Sequence, residues 1–179
     1  QRSVLAADLQ ESDVIANHHE EEVRYNIFQA LQYLADWLCG NGCVALPAQL
    51  TNARGESVFV RVMDDLATTE RSRWEVWAEV THGRVSVAEF EHILAQEVSF
   101  LKANQDTQDR RIQVRWQGEA AQWYPIAVDI FRQLVLDRDP VEFVPELILP
   151  FTFDFVRNAE DPFALVKSLH PSKYMHFES

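Results

Sequence analysis

The sequence predicts a single, mainly α domain, a bundle of about five helices with one long irregular loop or short hairpin. A chain of 179 residues can bury one sizeable core and is too short for two full domains. Its 47% hydrophobic and 25% charged residues are typical of a packed globular protein. Three segments carry apolar residues at helical spacing, and only residues 58–62 favour a strand.

The first helix is predicted from about Glu20 to Leu38, because apolar residues recur there every three or four positions. Three glutamates fall in its first turn, at the positive end of the helix dipole, and Gly40 permits the stop. We expect residues 1–17 to form a flexible N-terminal segment and residues 18–157 to form the domain. The stretch from Gly40 to Val62 is rich in Gly, Asn and Pro, which predicts a loop with one short hairpin or none.

A second helix is predicted from just after Asp65 to Thr81, with Gly83 beyond its end. The third helix has the clearest signature, because Ser86 and Glu89 match a capping box and an apolar stripe follows them.

The fourth helix is predicted to begin near Pro125, since proline is tolerated in a first turn. A fifth, short helix is predicted to start at Asp139-Pro140 and to be interrupted at Pro145. An aromatic patch follows Pro150, and residues 158–179 should be a polar tail. The residues predicted to lie inside are Phe28, Leu31, Leu34, Trp77, Phe90, Leu94, Val98, Phe131 and Leu134.

The composition also excludes several partners. A net charge of −12 repels phosphate backbones and anionic lipid surfaces, so no nucleic acid is expected. No apolar run is long enough to span a membrane, and the N-terminus lacks the pattern of a signal peptide. We therefore expect a soluble, cytoplasmic protein.

Common catalytic motifs are missing from the sequence. No glycine-rich phosphate loop, HExxH helix or GxSxG turn is present, and the His and Cys residues show no zinc spacing. Cys39 and Cys43 lie so close in sequence that a disulfide between them would add little, so free thiols are expected.

Two adjacent acids, Asp64 and Asp65, precede the second helix. Acids at a helix start ordinarily serve as a cap and a partner of the dipole, and the periodicity alone favours that interpretation. The motifs that surround these two acids favour a catalytic role for them instead.

Two stretches resemble the C-terminal domain of malate synthase: G-N-G-C-V at residues 40–44 and M-D-D-L-A-T at residues 63–68. Before the first stretch, Y-L and W-L pairs occur in the family's order, and Trp74, Trp77 and His82-Gly83 follow the second. The resemblance covers residues 23 to 156. This chain departs from the family in a longer segment between Cys43 and Met63 and in Ala45, where the family has Pro.

The resemblance implies a helical plug domain that closes the mouth of a TIM barrel. It places the family's catalytic carboxylate, which removes a proton from acetyl-CoA before condensation with glyoxylate, at Asp65, with Asp64 as an orienting neighbour or a solvent-facing acid. Substrate-binding candidates are Asn41, Cys43, Thr68, Arg73 and His82. The barrel, which carries the family's magnesium ligands, does not fit in 179 residues.

Three interpretations stay open. In the first, the chain is a free-standing enzyme, an isomerase, cyclase or lyase. It uses Asp65 for metal-independent proton transfer next to the carbonyl of a small substrate. Alternatively, it completes a barrel from another chain for acyl-CoA condensation, and only then are Mg²⁺ and acetyl-CoA implied. The third is a non-catalytic binding module. A surface that the family buries would be exposed here, so a homodimer or a barrel-bearing partner is expected.

Overall fold

The computed structural model describes residues 5–51, 53–105, 114, 116 and 120–169. The helices are α1 (Leu5–Leu38), α2 (Leu66–Thr81), α3 (Val87–Ala103), α4 (Ala120–Leu136), α5 (Pro145–Thr152), α6 (Asp154–Arg157) and α7 (Pro162–Leu169). Strands β1 (Cys43–Thr51) and β2 (Ser57–Asp65) form a two-stranded antiparallel sheet. The prediction of a mainly α fold is confirmed, with α6 and α7 beyond the expected five helices.

Helix α1 is the centre of the bundle and packs against α2, α3 and α4. Its apolar stripe, including Ile27, Leu31 and Leu34, is fully buried and meets Phe131 of α4 in the same core cluster. Burying a side chain of this size stabilises a fold by about 1.5–3 kcal/mol, so this stripe fixes where α1 lies. Of the predicted interior residues, Phe28, Trp77 and Val98 are only partly buried.

The boundaries of α2 and α3 follow their local signals. Helix α2 begins directly after Asp65 and ends at Thr81, as predicted. The capping box of α3 is complete: the Glu89 amide donates to Ser86 Oγ at 3.2 Å, and the Ser86 amide donates to Glu89 Oε2 at 2.8 Å. These contacts join residues close in sequence, which is why the sequence predicts them well.

The segment expected to be a long irregular loop or a short hairpin is a regular hairpin. Cys43 pairs with Asp65 and Thr51 with Ser57 at its two ends, so the strand predicted at 58–62 is the middle of a longer one. Only the base of the hairpin enters the interior, where Val44 and Leu46 pack with Tyr33 of α1.

Prolines mark three corrections to the predicted helices. Helix α4 starts at Ala120, so Pro125 lies inside it rather than in its first turn. The exposed position of Pro125 leaves room for its ring on the outer face of the helix. Asp139-Pro140 begins no helix. Helix α5 starts at Pro145. Proline has no amide hydrogen, and a helix leaves the amide hydrogens of its first turn unpaired, so proline is tolerated at this position. Pro150 lies inside α5.

Both ends of the chain carry more helix than predicted. Helix α1 begins at Leu5 rather than near Glu20, within the segment expected to be flexible. The expected polar tail contains α7, whose Val166 is fully buried. The division into segments 1–17, 18–157 and 158–179 otherwise stays a prediction. Within the described ranges, no helix combines the length and apolar character needed to cross a membrane.

Candidate functional site

Asp64 and Asp65, here called the carboxylate pair, lie where β2 ends and α2 begins. Successive side chains of a strand point to opposite faces, so the two carboxylates diverge. Asp64 pairs with buried Val44 and is itself only 2% exposed, whereas Asp65 pairs with exposed Cys43. The backbone therefore gives the two adjacent acids different environments.

Asp65 is the N-cap of α2. Its Oδ1 accepts hydrogen bonds from the amides of Ala67 at 3.0 Å and Thr68 at 3.3 Å. These bonds satisfy two of the donors that a helix start leaves unpaired, and the positive end of the α2 dipole favours the carboxylate there. The side chain is half-buried, so one side of the carboxylate faces the hairpin surface near Met63, which is 63% exposed.

Asp64 is held from α1 rather than by its neighbour. Gln29 Nε2 donates to Asp64 Oδ1 at 3.4 Å and to the Tyr25 hydroxyl at 2.9 Å. Asp64 Oδ2 and Gln29 Oε1 are buried and have no hydrogen-bond partner among the described residues. Of the two roles expected for Asp64, orienting neighbour or solvent-facing acid, the second is wrong, because the strand alternation turns the side chain inward.

Burial raises the pKa of Asp64, since desolvation penalises its charged form, and nearby Asp65 acts in the same direction. Arg71 and the Thr68 side chain lower that pKa by smaller amounts. Burial also raises the pKa of Tyr25, with a further contribution from Asp64. Both shifts are toward the protonated form, at buried Asp64 and at Tyr25, which is 47% exposed.

The loop between α1 and β1 brings further predicted residues to this junction. The Tyr33 hydroxyl donates to the Gly42 carbonyl at 3.3 Å. Burial, followed by the charges of Asp65 and Cys43, raises the pKa of Tyr33 to about 12, so this hydroxyl keeps its proton at neutral pH. Cys43 is an exposed thiol outside any disulfide, as expected, and Cys39 forms no disulfide either. The side-chain Nδ2 of exposed Asn41 donates to Asp36 Oδ1 at 3.2 Å.

Arg73 is not available to a substrate, in contrast to the prediction. Its side chain is 0% exposed, and the guanidinium donates to Glu70 Oε2 at 2.9 Å and to the carbonyls of Val141 at 3.0 Å and Glu142 at 2.5 Å. Glu70 Oε1 in turn accepts from the Val144 amide. Burial lowers the pKa of Arg73, and the bond to Glu70 opposes that shift. This ion pair anchors the segment that leads into α5.

His82 also lies away from the junction. It is the exposed C-cap of α2, and the sixteen residues of that helix separate it from Asp65 by about 24 Å. The sequence motif brought His82 into the prediction because it follows the tryptophans of α2, but a residue at the far end of a straight helix cannot reach the carboxylate pair. Thr68, in the first turn, is the predicted α2 residue that stays at the junction.

Gln29 and Tyr25 are the residues that sequence reasoning missed. They lie one turn apart on α1, and the hydrogen bond between their side chains continues to Asp64. A polar residue at a position that the apolar stripe would bury is the signal that could have found Gln29, which is 5% exposed.

A separate cleft of about 370 Å³ lies between α3 and α4. Lys102, Trp116 and Arg132 line it, and none of the predicted site residues does. In the described part of the chain, no group of three or more His, Cys, Asp or Glu side chains could hold a metal ion. The magnesium that the resemblance implies for an assembled barrel therefore has no ligand set among the described residues.

The comparisons with known proteins agree with the motifs at this junction. The family model described as "Malate synthase, C-terminal" matches residues 17–149. The chain is 34% identical over 90 residues to malate synthase of Myxococcus xanthus (strain DK1622), which is 46% of this chain and 14% of that protein. It is 32% identical over 89 residues to malate synthase A of Escherichia coli (strain K12), again 46% and 14%. The chain thus spans a small part of these relatives, and no solved structure matches it.

Proposed function

Because the chain belongs to the malate synthase C-terminal domain family, we propose that it supplies the carboxylate that moves a proton at the carbon next to a carbonyl group. Asp65 is the general base in this proposal. The observation that carries it is the position of the carboxylate pair, where Asp65 is half-buried at a surface beside exposed Cys43 and Met63. A small substrate can reach that carboxylate without any movement of the helices.

A carboxylate exposed to water is a weak base for a carbon acid, so the site must be covered during the reaction. Asp65 is half-buried, and its neighbours Cys43 and Met63 are exposed, so the described part of this chain covers the carboxylate only in part. A bound substrate or a second protein surface has to exclude the water.

Asp64 has a positioning role in this proposal. It is buried and does not reach the surface, so it cannot touch a substrate. Its bond to Gln29 fixes the end of β2 against α1, next to the base.

The hydrogen-bond donors available to the enolate oxygen distinguish a free-standing enzyme from one that is assembled with a barrel-bearing chain. Of the substrate-binding candidates that could donate to this oxygen, Arg73 is enclosed by its own partners and His82 lies at the far end of α2. Asn41 and Thr68 remain near the junction. Two neutral donors give limited stabilisation of an oxyanion, which favours a barrel-bearing partner chain that supplies the rest. In that assembly the reaction is the condensation of an acyl-CoA with a 2-oxo acid.

Deuterium exchange tests the proton transfer without requiring the complete reaction. The chain is incubated in D₂O with acetyl-CoA or pyruvate, alone and with a barrel-bearing malate synthase chain that lacks its own C-terminal domain, and loss of the methyl proton signal is followed by NMR. Exchange by the chain alone supports the free-standing enzyme. Exchange only in the mixture supports the assembly.

Asp65→Asn is the decisive variant for both settings. Asn can cap α2 but cannot accept a proton, so exchange should fall by about a hundredfold or more while the melting temperature changes little. Asp64→Asn is the matched control and should lose much less. If Asp65→Asn exchanges as fast as the wild type, or if no exchange occurs in either setting, the non-catalytic binding module replaces this proposal, with Asp65 serving only as the cap.

A further inference from the structure

The loop between α1 and β1, residues 39–42, is here called the junction loop. It leads directly to Cys43, the first residue of β1, which pairs with Asp65. The junction loop therefore decides where one side of the surface beside the proposed base lies. A residue that fixes this loop also fixes that side of the surface.

The first anchor of the junction loop is the end of α1 itself. The Asn41 amide donates to the Asp36 carbonyl at 3.1 Å, and the Gly40 amide donates to the Trp37 carbonyl at 2.6 Å. These are the two backbone bonds of a Schellman motif, which needs a residue in the left-handed region at its turn. Gly40, with a φ of 97°, is that residue.

Arg157 of α6 adds an anchor from a distant part of the chain. Its Nη2 donates to the Cys39 carbonyl at 3.3 Å, across a sequence separation of 118. A Cβ atom on Gly40 would lie 3.4 Å from Arg157 Nη1, so the guanidinium packs directly over the turn of the Schellman motif. The neighbouring Val156 is fully buried in the core, which fixes the backbone from which Arg157 reaches the loop.

The charge at the end of α1 favours this arginine. The last carbonyls of a helix carry partial negative charge, and α1 has no basic residue in its own last turn. Within the described ranges, no carboxylate pairs with Arg157, so its charge acts on the end of α1. Arg157 also lies outside residues 17–149, which match the malate synthase family model. The family similarity therefore assigns no role to this residue.

Building on the proposed function, we propose that Arg157 is a positioning residue for the proton transfer. It holds the start of the junction loop, and the Tyr33 hydroxyl holds the end of the loop at the Gly42 carbonyl. Together they fix the Cys43 side of the surface on which Asp65 acts. A surface that is ordered before the substrate binds needs no ordering during the reaction, so loss of Arg157 lowers turnover in a chain that is still folded.

Amide hydrogen exchange of the full chain, followed by NMR, tests whether Arg157 holds the loop. In Arg157→Ala, the Gly40 and Asn41 amides should exchange faster than in the wild type, by about fivefold or more, because their bonds open more often. Arg157→Lys keeps the charge and one donor group, so it should restore part of the protection. The Glu89 amide in the capping box of α3 is the internal reference and should be unchanged.

The methyl exchange assay tests whether this order matters for proton transfer. The assay is run in the setting in which the wild type is active, at a temperature where circular dichroism shows every variant folded. Arg157→Ala should lower the turnover rate by about fivefold or more, and Arg157→Lys should recover part of it. If Arg157→Ala folds poorly, Arg157→Gln takes its place, since glutamine keeps a donor and loses only the charge and some length.

Arg132→Ala is the matched control. It also removes a half-buried arginine, one that pairs with Glu91 of α3 and Asp129 of α4. It should lower the melting temperature without changing the turnover rate or the exchange of the Gly40 and Asn41 amides. An equal loss of turnover in Arg132→Ala would show that general destabilisation explains the effect, and would overturn the proposal.

Two results with the Arg157 variants would also overturn the proposal: loop amides that exchange at the wild-type rate in Arg157→Ala, or faster loop amides with unchanged turnover. Failure of the proposed function is seen in a different sample. The wild type itself would then show no methyl exchange in either setting, and Arg157 would have no reaction to serve.

Discussion

Replacement of Arg73 by Ala distinguishes a structural arginine from a substrate-binding one. The guanidinium contacts four groups: Glu70 at 2.9 Å, the carbonyls of Val141 and Glu142, and the Trp74 ring, whose centre is 3.6 Å away. All of these lie inside the protein or at its edge, since the Arg73 side chain is 0% exposed and Glu70 is 17% exposed. Ala removes the cation and leaves the carboxylate and both carbonyls without this donor.

The expected cost follows from these partners. Removing one member of a buried ion pair typically destabilises a protein by about 3–5 kcal/mol, because the other charge stays buried without compensation. The bond from the Val144 amide to Glu70 survives and places the cost toward the lower end of that range. For a chain of this size, the melting temperature should fall by about 6–20 °C.

Urea unfolding followed by tryptophan fluorescence and circular dichroism measures the loss. Arg73→Lys should lie between wild type and Ala, because one ammonium keeps the charge but cannot reach Glu70 and both carbonyls together. Arg71→Ala is the matched control: that side chain is 62% exposed in its pair with Glu75 and should change stability by no more than about 0.5 kcal/mol. If Arg73→Ala costs less than the Arg71 variant, the anchoring role is refuted and Arg73 returns to the list of binding candidates.

Two further predictions concern the core and the buried acid. The Leu94 side chain on α3 is only 1% exposed, so Leu94→Ala should lower the free energy of unfolding by about 2–5 kcal/mol. Val87 is 52% exposed, so the control Val87→Ala should lower it by less than about 0.5 kcal/mol. A loss below about 1 kcal/mol in Leu94→Ala would contradict the packing of α3. Burial raises the pKa of Asp64 above its unfolded value near 3.8, so the folded state binds this proton more tightly and stability should fall as pH rises through the interval between the two pKa values. Asp64→Asn should remove that part of the pH dependence of the urea midpoint. If the profile is unchanged, folding does not shift the pKa of Asp64.

The sequence predicted best what depends on neighbouring residues. The start of α3 depends on Ser86 and Glu89, which are close in sequence and whose side chains satisfy each other's backbone groups. The hairpin depends instead on the pairing of two strands, one of which contains Pro47 and has weak strand propensity. Likewise, Gln29 belongs to the junction only because α1 packs beside β2. Contacts of that kind are set by tertiary packing, which local patterns do not report.

The two acids show how one boundary changes a functional assignment. As the first residues of a helix, Asp64 and Asp65 would point in directions about 100° apart, and both could have faced solvent. Because β2 continues to Asp65, the period of two applies, and it turns one carboxylate into the interior toward Gln29 and the other to the surface beside Cys43. The resemblance to malate synthase selects Asp65, and the register independently makes it the accessible carboxylate of the pair. A shift of the pairing register by one residue would exchange the faces, so the pairing of Cys43 with Asp65 is what gives this surface its carboxylate.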